Sequence, residues 1–204
     1  MSTTPIIKYE SHLLRTKYLG EARVYVFEIS ESSPIICMVV GNLDKNVPLV
    51  RVHSKCFYSE VLGSLDCDCR EQIELAYEMI HAEGSGVFMY LEQEGRGCGL
   101  ISKAKAYSLK ENEGLDTVEA YKVMGLDVDP RRYDNAAEIL KFLSLNRIRL
   151  LTNNPRKTSG LVKNGVAVEE VRLRVEPTPS NLEYLIVKQK KLGHDLGLNG
   201  KKGD

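Results

Sequence analysis

The spacing of apolar residues changes along this chain. In the first fifty residues they fall in short runs rich in branched and aromatic side chains, at 13–18, 22–29 and 35–40. Leu19-Gly20 and Glu31-Ser-Ser-Pro34 separate these runs, the pattern of strands joined by turns. A further strand is expected over 47–53. From 71 to 83 the apolar residues stand at 73, 76, 79 and 80, the spacing of a helix face. Gly84-Ser-Gly86 ends that helix. Beyond it the pattern predicts strands at 87–91, 148–151 and 166–171. It predicts helices at 101–111, 133–143, 155–163 and 182–192. Pro155 suits the first turn of its helix, and Ser180 suits the N-cap of the last.

Strands alternate with helices from residue 84 onward, so the expected fold class is α/β. The expected architecture is a mixed sheet with flanking helices and a β-rich N-terminal part. No linker-like stretch and no internal repeat divides the chain. One domain is therefore expected over residues 1–195, with 196–204 as a disordered tail.

Composition narrows the function classes. The 204 residues are 43% hydrophobic and 27% charged, suited to a soluble globular protein. The 28 Lys and Arg balance the 28 Asp and Glu, which gives no argument for nucleic acid or membrane as a partner. No apolar run is long enough to span a bilayer. Met-Ser-Thr-Thr-Pro at the start has no signal pattern, so a cytoplasmic location with reduced thiols is expected. Five cysteines do not form a disulfide framework. Cys37, in Pro34-Ile-Ile-Cys-Met, reads as a buried small hydrophobe.

Candidate chemistry gathers in four places. Cys56, Cys67 and Cys69 lie within fourteen residues. Three thiolates can hold one zinc and leave its fourth position open, the arrangement of a hydrolytic metal. A closed structural site that adds His53 is the alternative that the spacing leaves open. Gly95-Arg96-Gly97-Cys98-Gly99 lies between a strand and a helix, a layout in which backbone N–H groups face an anion and Arg96 adds a contact. A tight turn needed only for packing is the alternative. Asp129-Pro-Arg131-Arg132 precedes a helix and reads either as a charged site or as a solvated cap with Asp129 on the helix amides. Thr152-Asn-Asn-Pro155 follows a strand, where α/β folds bind ligands. A hydrolytic metal combined with phosphate-binding devices suggests a nucleotide whose ring is hydrolysed.

Taken together these segments resemble GTP cyclohydrolase II. The stretches that carry the resemblance are Arg51-Val-His-Ser-x-Cys56, Cys67-Asp-Cys69, Gln93-Glu-Gly-Arg96, Ala106-Tyr107, Asp116-Thr-Val-Glu-Ala120, Gly125 through Arg131, and Leu150-Leu-Thr-Asn-Asn-Pro155. They stand in the family's order across roughly residues 48 to 195, and the N-terminal strands match only in general character. The resemblance implies zinc on Cys56, Cys67 and Cys69, with His53 off the metal. It implies a nucleotide site lined by Arg51, Val52, His53, Ser54 and Lys55, with Gln72, Glu94, Gly95, Arg96, Thr117, Thr152 and Lys157 contacting GTP. Tyr107 would lie by the imidazole part of guanine. Asp129 would be the proton acceptor and Arg131 the nucleophile at phosphorus. Magnesium on the triphosphate and a homodimer are also implied. The implied reaction is zinc-dependent opening of the guanine imidazole ring with loss of formate and pyrophosphate. A specialised paralogue that acts on GTP but stops at the formamide or serves a secondary pathway, and a zinc- and nucleotide-binding module without activity, are the alternatives.

The chain departs from the family pattern near the metal and the glycine loop. Lys55 replaces a typical glutamate, Asp66 a typical arginine, Phe57-Tyr-Ser-Glu60 a usual Leu-Thr-Gly-Asp, and Gly97-Cys98 a common Asn-Ile. With both signs inverted, Lys55 and Asp66 suggest an ion pair, against two independent solvent-facing substitutions.

Overall fold

The computed structural model describes residues 7–29 and 33–198. Seven strands form one sheet: β1 (Ile7–Thr16), β2 (Gly20–Ile29), β3 (Ile35–Val40), β4 (Leu49–Ser54), β5 (Gly86–Leu91), β6 (Arg147–Leu151) and β7 (Ala167–Val171). Their spatial order is β1-β2-β3-β5-β4-β6-β7. The first three and β5 pair antiparallel, whereas β5, β4, β6 and β7 run parallel. The sheet is thus mixed, as expected, and β5 is the seam between a hairpin-built half and a half that needs helical crossovers.

Seven helices flank it among the described residues: α1 (Phe57–Glu60), α2 (Cys69–Glu83), α3 (Gly99–Glu113), α4 (Thr117–Val123), α5 (Asp134–Phe142), α6 (Pro155–Lys163) and α7 (Leu182–Leu192), with a 3-10 turn at Glu94–Gly97. None is long and apolar enough to cross a membrane.

Strand alternation divides the core between the two faces. Val50, Val52, Val87, Met89 and Leu91 point to one face and pack with Ala136, Ile139 and Leu140 of α5 and Leu161 of α6. Leu49 and Phe88 point to the other and pack with Ala76 and Ile80 of α2. Burying both faces explains the near-continuous apolar runs of β4 and β5. Cys37 lies in the first of these clusters, and burial pushes its thiol far up, as befits a small hydrophobe.

Two expectations need correction. The first strand is Ile7–Thr16, not 13–18. It is the sheet's edge, and residues 8–15 are all exposed, so no apolar alternation marks it. Its end is fixed by the Thr16 hydroxyl, which accepts from the Leu19 amide at 2.9 Å, and by the left-handed Gly20. α7 starts from Asn181 rather than Ser180, because Thr178 and Asn181 each hydrogen-bond the other's backbone amide through the side chain. Of the expected tail, residues 199–204 lie outside the described residues, and the Leu198 amide donates to Gln189 at 3.0 Å.

Candidate active site

β4, β5 and β6 end side by side, and a cleft opens beyond their C-terminal ends. This is the place where a parallel sheet leaves a crevice for a ligand. On β4 the residues two and four beyond Leu49 are not apolar but Arg51 and His53, respectively 3% and 2% exposed. Arg51 donates to the Leu151 carbonyl at 2.9 Å and to Gln72 of α2 at 2.5 Å. Burial lowers its pKa to about 10, so it remains a cation at neutral pH. From the opposite face, Lys157 of α6 donates to the Val52 carbonyl at 2.6 Å. Burial, then the nearby Arg51 and Arg131, pull its pKa well below the lysine range. Val52 itself points into the core, so within 51–55 it offers the cleft only backbone.

The thiols of Cys56, Cys67 and Cys69 all lie within 4.8 Å of one another. Cys56 precedes α1, while Cys67 and Cys69 open α2. The Sγ atoms of Cys56 and Cys67 are 3.7 Å apart. A tetrahedral zinc with bonds of about 2.3 Å places its sulfurs about 3.8 Å apart, so the thiol positions fit the ion. Hydrogen bonds from the other two thiols, with Lys103 at 3.2 Å, favour the thiolate at Cys56. His53 takes no part. Its Nε2 lies 2.9 Å from Glu60, whose carboxylate also accepts from the Cys56 amide at 2.7 Å and the Tyr90 hydroxyl at 2.5 Å. Burial depresses the pKa of His53 to about 4, so its ring is neutral at physiological pH. The structure thereby sets aside the closed site that would include His53.

The glycine loop holds Gly95 and Arg96 in left-handed conformations, at φ 57° and 58°. Tyr121 of α4 locks this loop by donating to the Gly95 carbonyl at 2.9 Å, and the Arg96 guanidinium stacks on its ring. Both terminal nitrogens of Arg96 are buried without a hydrogen-bond partner among the described residues. A buried guanidinium without a partner, lining a cleft, is suited to an anion. Glu94 accepts from the Phe57 and Gly95 amides and from Lys103, at 2.6, 2.8 and 2.9 Å. Tyr107 meets Tyr58 edge-on at 5.1 Å, and burial pushes its phenol up. Thr117 and Thr152 also line the cleft.

Asp129 is not a helix cap. α5 begins five residues later, with Tyr133 at its N-cap. Instead both Asp129 oxygens grip the Nε and Nη2 of Arg131 at 2.7 Å. Burial opposes charge on each, but the pairing outweighs it, holding Arg131 protonated and Asp129 ionised. Arg131 reaches the cleft, and Asp129 stands behind it.

The suggested Lys55–Asp66 pair does not form. Lys55 donates to Glu92 at 2.7 Å, and Asp66 accepts from the Ser64 hydroxyl at 3.2 Å. Glu92 lies at the end of β5, closer to Lys55 than the loop bearing Asp66. Reversing each charge, Lys55→Glu and Asp66→Arg, should therefore give strictly additive effects, within about 0.5 kcal/mol. A double-mutant cycle on formate release and on urea unfolding checks this; restoration by the double reversal would refute it.

Several cleft residues escaped the sequence reading: Lys103, Tyr121, Tyr184, Lys188 and His194. Lys103 and Tyr121 sit on α3 and α4, next to stretches that the sequence did mark. Lys188 lies on α7 and His194 just beyond it. Burial, then the neighbouring Lys188 and Arg131, lower the pKa of His194 to about 3.

Comparison with known proteins agrees with this geometry. The model of the family described as GTP cyclohydrolase II matches residues 8–172, which takes in the N-terminal strands too. A GTP cyclohydrolase-2 of Buchnera aphidicola subsp. Schizaphis graminum is 41% identical over 194 residues, 94% of this chain and 98% of that relative. A GTP cyclohydrolase-2 of Archaeoglobus fulgidus is 44% identical over 91% of this chain and 49% of its own. The riboflavin biosynthesis protein RibBA of Cytophaga hutchinsonii is 41% identical over 94% of this chain, which spans only 48% of that relative. With a family match over most of its length and relatives at this identity, the chain belongs to the GTP cyclohydrolase II family of enzymes.

Proposed function

We propose that the chain opens the guanine imidazole ring of GTP by hydrolysis and releases formate and pyrophosphate. The product is 2,5-diamino-6-(5-phosphoribosylamino)pyrimidin-4(3H)-one. One observation carries this reading: three convergent thiols share a cleft with a wall of guanidinium and ammonium groups.

Cys56, Cys67 and Cys69 would hold zinc, since soft thiolates at this separation suit it. Held there, zinc would supply the Lewis acidity that activates water. The chain's own residues do the rest. Guanine C8 lies between two nitrogens and resists attack by free water, so the base must be fixed over the thiols. Tyr107 is the side chain suited to orient its imidazole edge. Gln72, Glu94, Thr117 and the segment from Arg51 to Lys55 line the remainder of the nucleotide site. Arg96, Lys157 and Arg131 stabilise charge that develops on the triphosphate, which carries magnesium. Asp129 holds Arg131 by one edge, leaving Nη1 outside that fork and available to a phosphate oxygen. Asp129 is also the acceptor for any proton released in the phosphorus step. A nucleophilic role for Arg131 requires that transfer, because a guanidinium otherwise keeps its proton. We read the protein as a cytoplasmic homodimer.

Arrest at the formamide is the second reading, raised by Gly97-Cys98, which stands where the family commonly has Asn-Ile; a Cβ at Gly97 would meet Arg131 at 3.5 Å. One incubation with GTP and magnesium separates the readings. Stoichiometric formate, pyrophosphate and the pyrimidine chromophore are expected. Pyrophosphate without formate would indicate arrest at the formamide, and unchanged GTP would overturn the enzymatic reading.

A further inference from the structure

The turn into α2 that carries two of the three thiols is tied to a part of the chain remote in sequence. Asp68 stands between Cys67 and Cys69 and is the N-cap residue of α2. Aspartate at that position ordinarily accepts from the helix amides, a contact worth about 1 kcal/mol. Here its side chain makes no such bond. Both oxygens are engaged elsewhere: one accepts from Lys188 of α7 at 2.7 Å, the other from Gln72 at 2.6 Å. Asp68 is 2% exposed and Lys188 7%. Gln72 continues to Arg51. Lys188 also lies over the Tyr184 ring, 4.6 Å from its centroid, which fixes the ammonium from its other side.

We propose that Lys188 is a positioning residue for the three-thiol centre: through Asp68 it sets where Cys67 and Cys69 point relative to Cys56. This rests on the reading of that centre as a zinc site. A buried ion pair is weak as a source of stability, since apolar replacements are often neutral or better. Its value lies in geometry. Groups behind metal ligands orient them, and their loss costs affinity. Cys56 has its own anchor in Glu60, which accepts from the Cys56 amide. Cys67 and Cys69 have Asp68, and Asp68 has Lys188. α7 lies beyond residue 172, where the match to the family model ends.

The test measures zinc binding directly, by competition with a chromophoric chelator, together with the absorption spectrum of the cobalt(II)-substituted full chain. Lys188→Met should weaken zinc about 10–100-fold and alter the cobalt spectrum, and Lys188→Arg should restore most of both. Asp68→Asn keeps the shape, removes the charge and should act like Lys188→Met. It decides the question if Lys188→Met does not fold. Folded variants with wild-type zinc affinity and an unchanged cobalt spectrum would overturn the inference, even if they melt earlier. Wild-type protein that takes up no metal would instead overturn the zinc reading, so the two failures are distinct.

Discussion

Cys67→Ser is expected to lose bound zinc and ring opening together. Zinc should fall from about one ion per chain to near zero. Formate release should fall at least about 100-fold, because every 1.4 kcal/mol of lost Lewis-acid stabilisation costs tenfold. The fold should persist, since the sheet's two core clusters contain none of the three thiols. Metal analysis and circular dichroism of the same preparation check both halves. Full zinc with normal formate release would remove Cys67 from the site.

Arg131→Ala should abolish pyrophosphate release, with a loss of roughly 100- to 1,000-fold, the scale for removing one preorganised charge-stabilising donor. It also strands the buried Asp129 carboxylate, at a stability cost of about 3–5 kcal/mol. Arg131→Lys separates the two effects. It keeps a cation beside Asp129 but cannot reproduce the two-nitrogen fork, so the protein should stay folded yet remain poor at phosphate cleavage. Pyrophosphate assays under single-turnover conditions decide it. Wild-type release by the alanine variant would show that Arg131 does not act at phosphorus.

What could be read from the sequence was mostly local. The thiols fall within fourteen residues, and the glycine loop is continuous, so both announce themselves. Within the parallel half, β4 and β5 are buried on both faces and showed clearly as apolar runs. β1 did not, because an exposed edge strand has no face that must be apolar. α4 carries a capping box in Asp116 and Glu119, a signal present in the sequence but not used to place a helix. Asp129 resembled a cap because aspartate before a helix usually is one; its pairing with Arg131 depends on the turn between them. Lys188 illustrates the harder case. Its partner is 120 residues away. Yet its position, three residues after Leu185 on the buried stripe of α7, places a charge where an apolar residue belongs. Such an exception to periodicity marks a buried partner.

Arg51, Lys157 and Arg131 stand close enough to depress one another's charge or require a carboxylate to keep it. In the language of linkage, this makes a polyanion a folding partner of the chain. Lys157 has a lower pKa folded than unfolded, so it subtracts stability at neutral pH, and the deficit shrinks only as pH rises toward the ordinary lysine range. On the proposed function, a triphosphate settling among these cations would remove that deficit, and the native state would gain free energy with the logarithm of ligand concentration. The hydrophobic sheet carries the cost of holding the cations apart from water until then. On that reading, affinity for the nucleotide and lower stability without it would have one source, this charge arrangement.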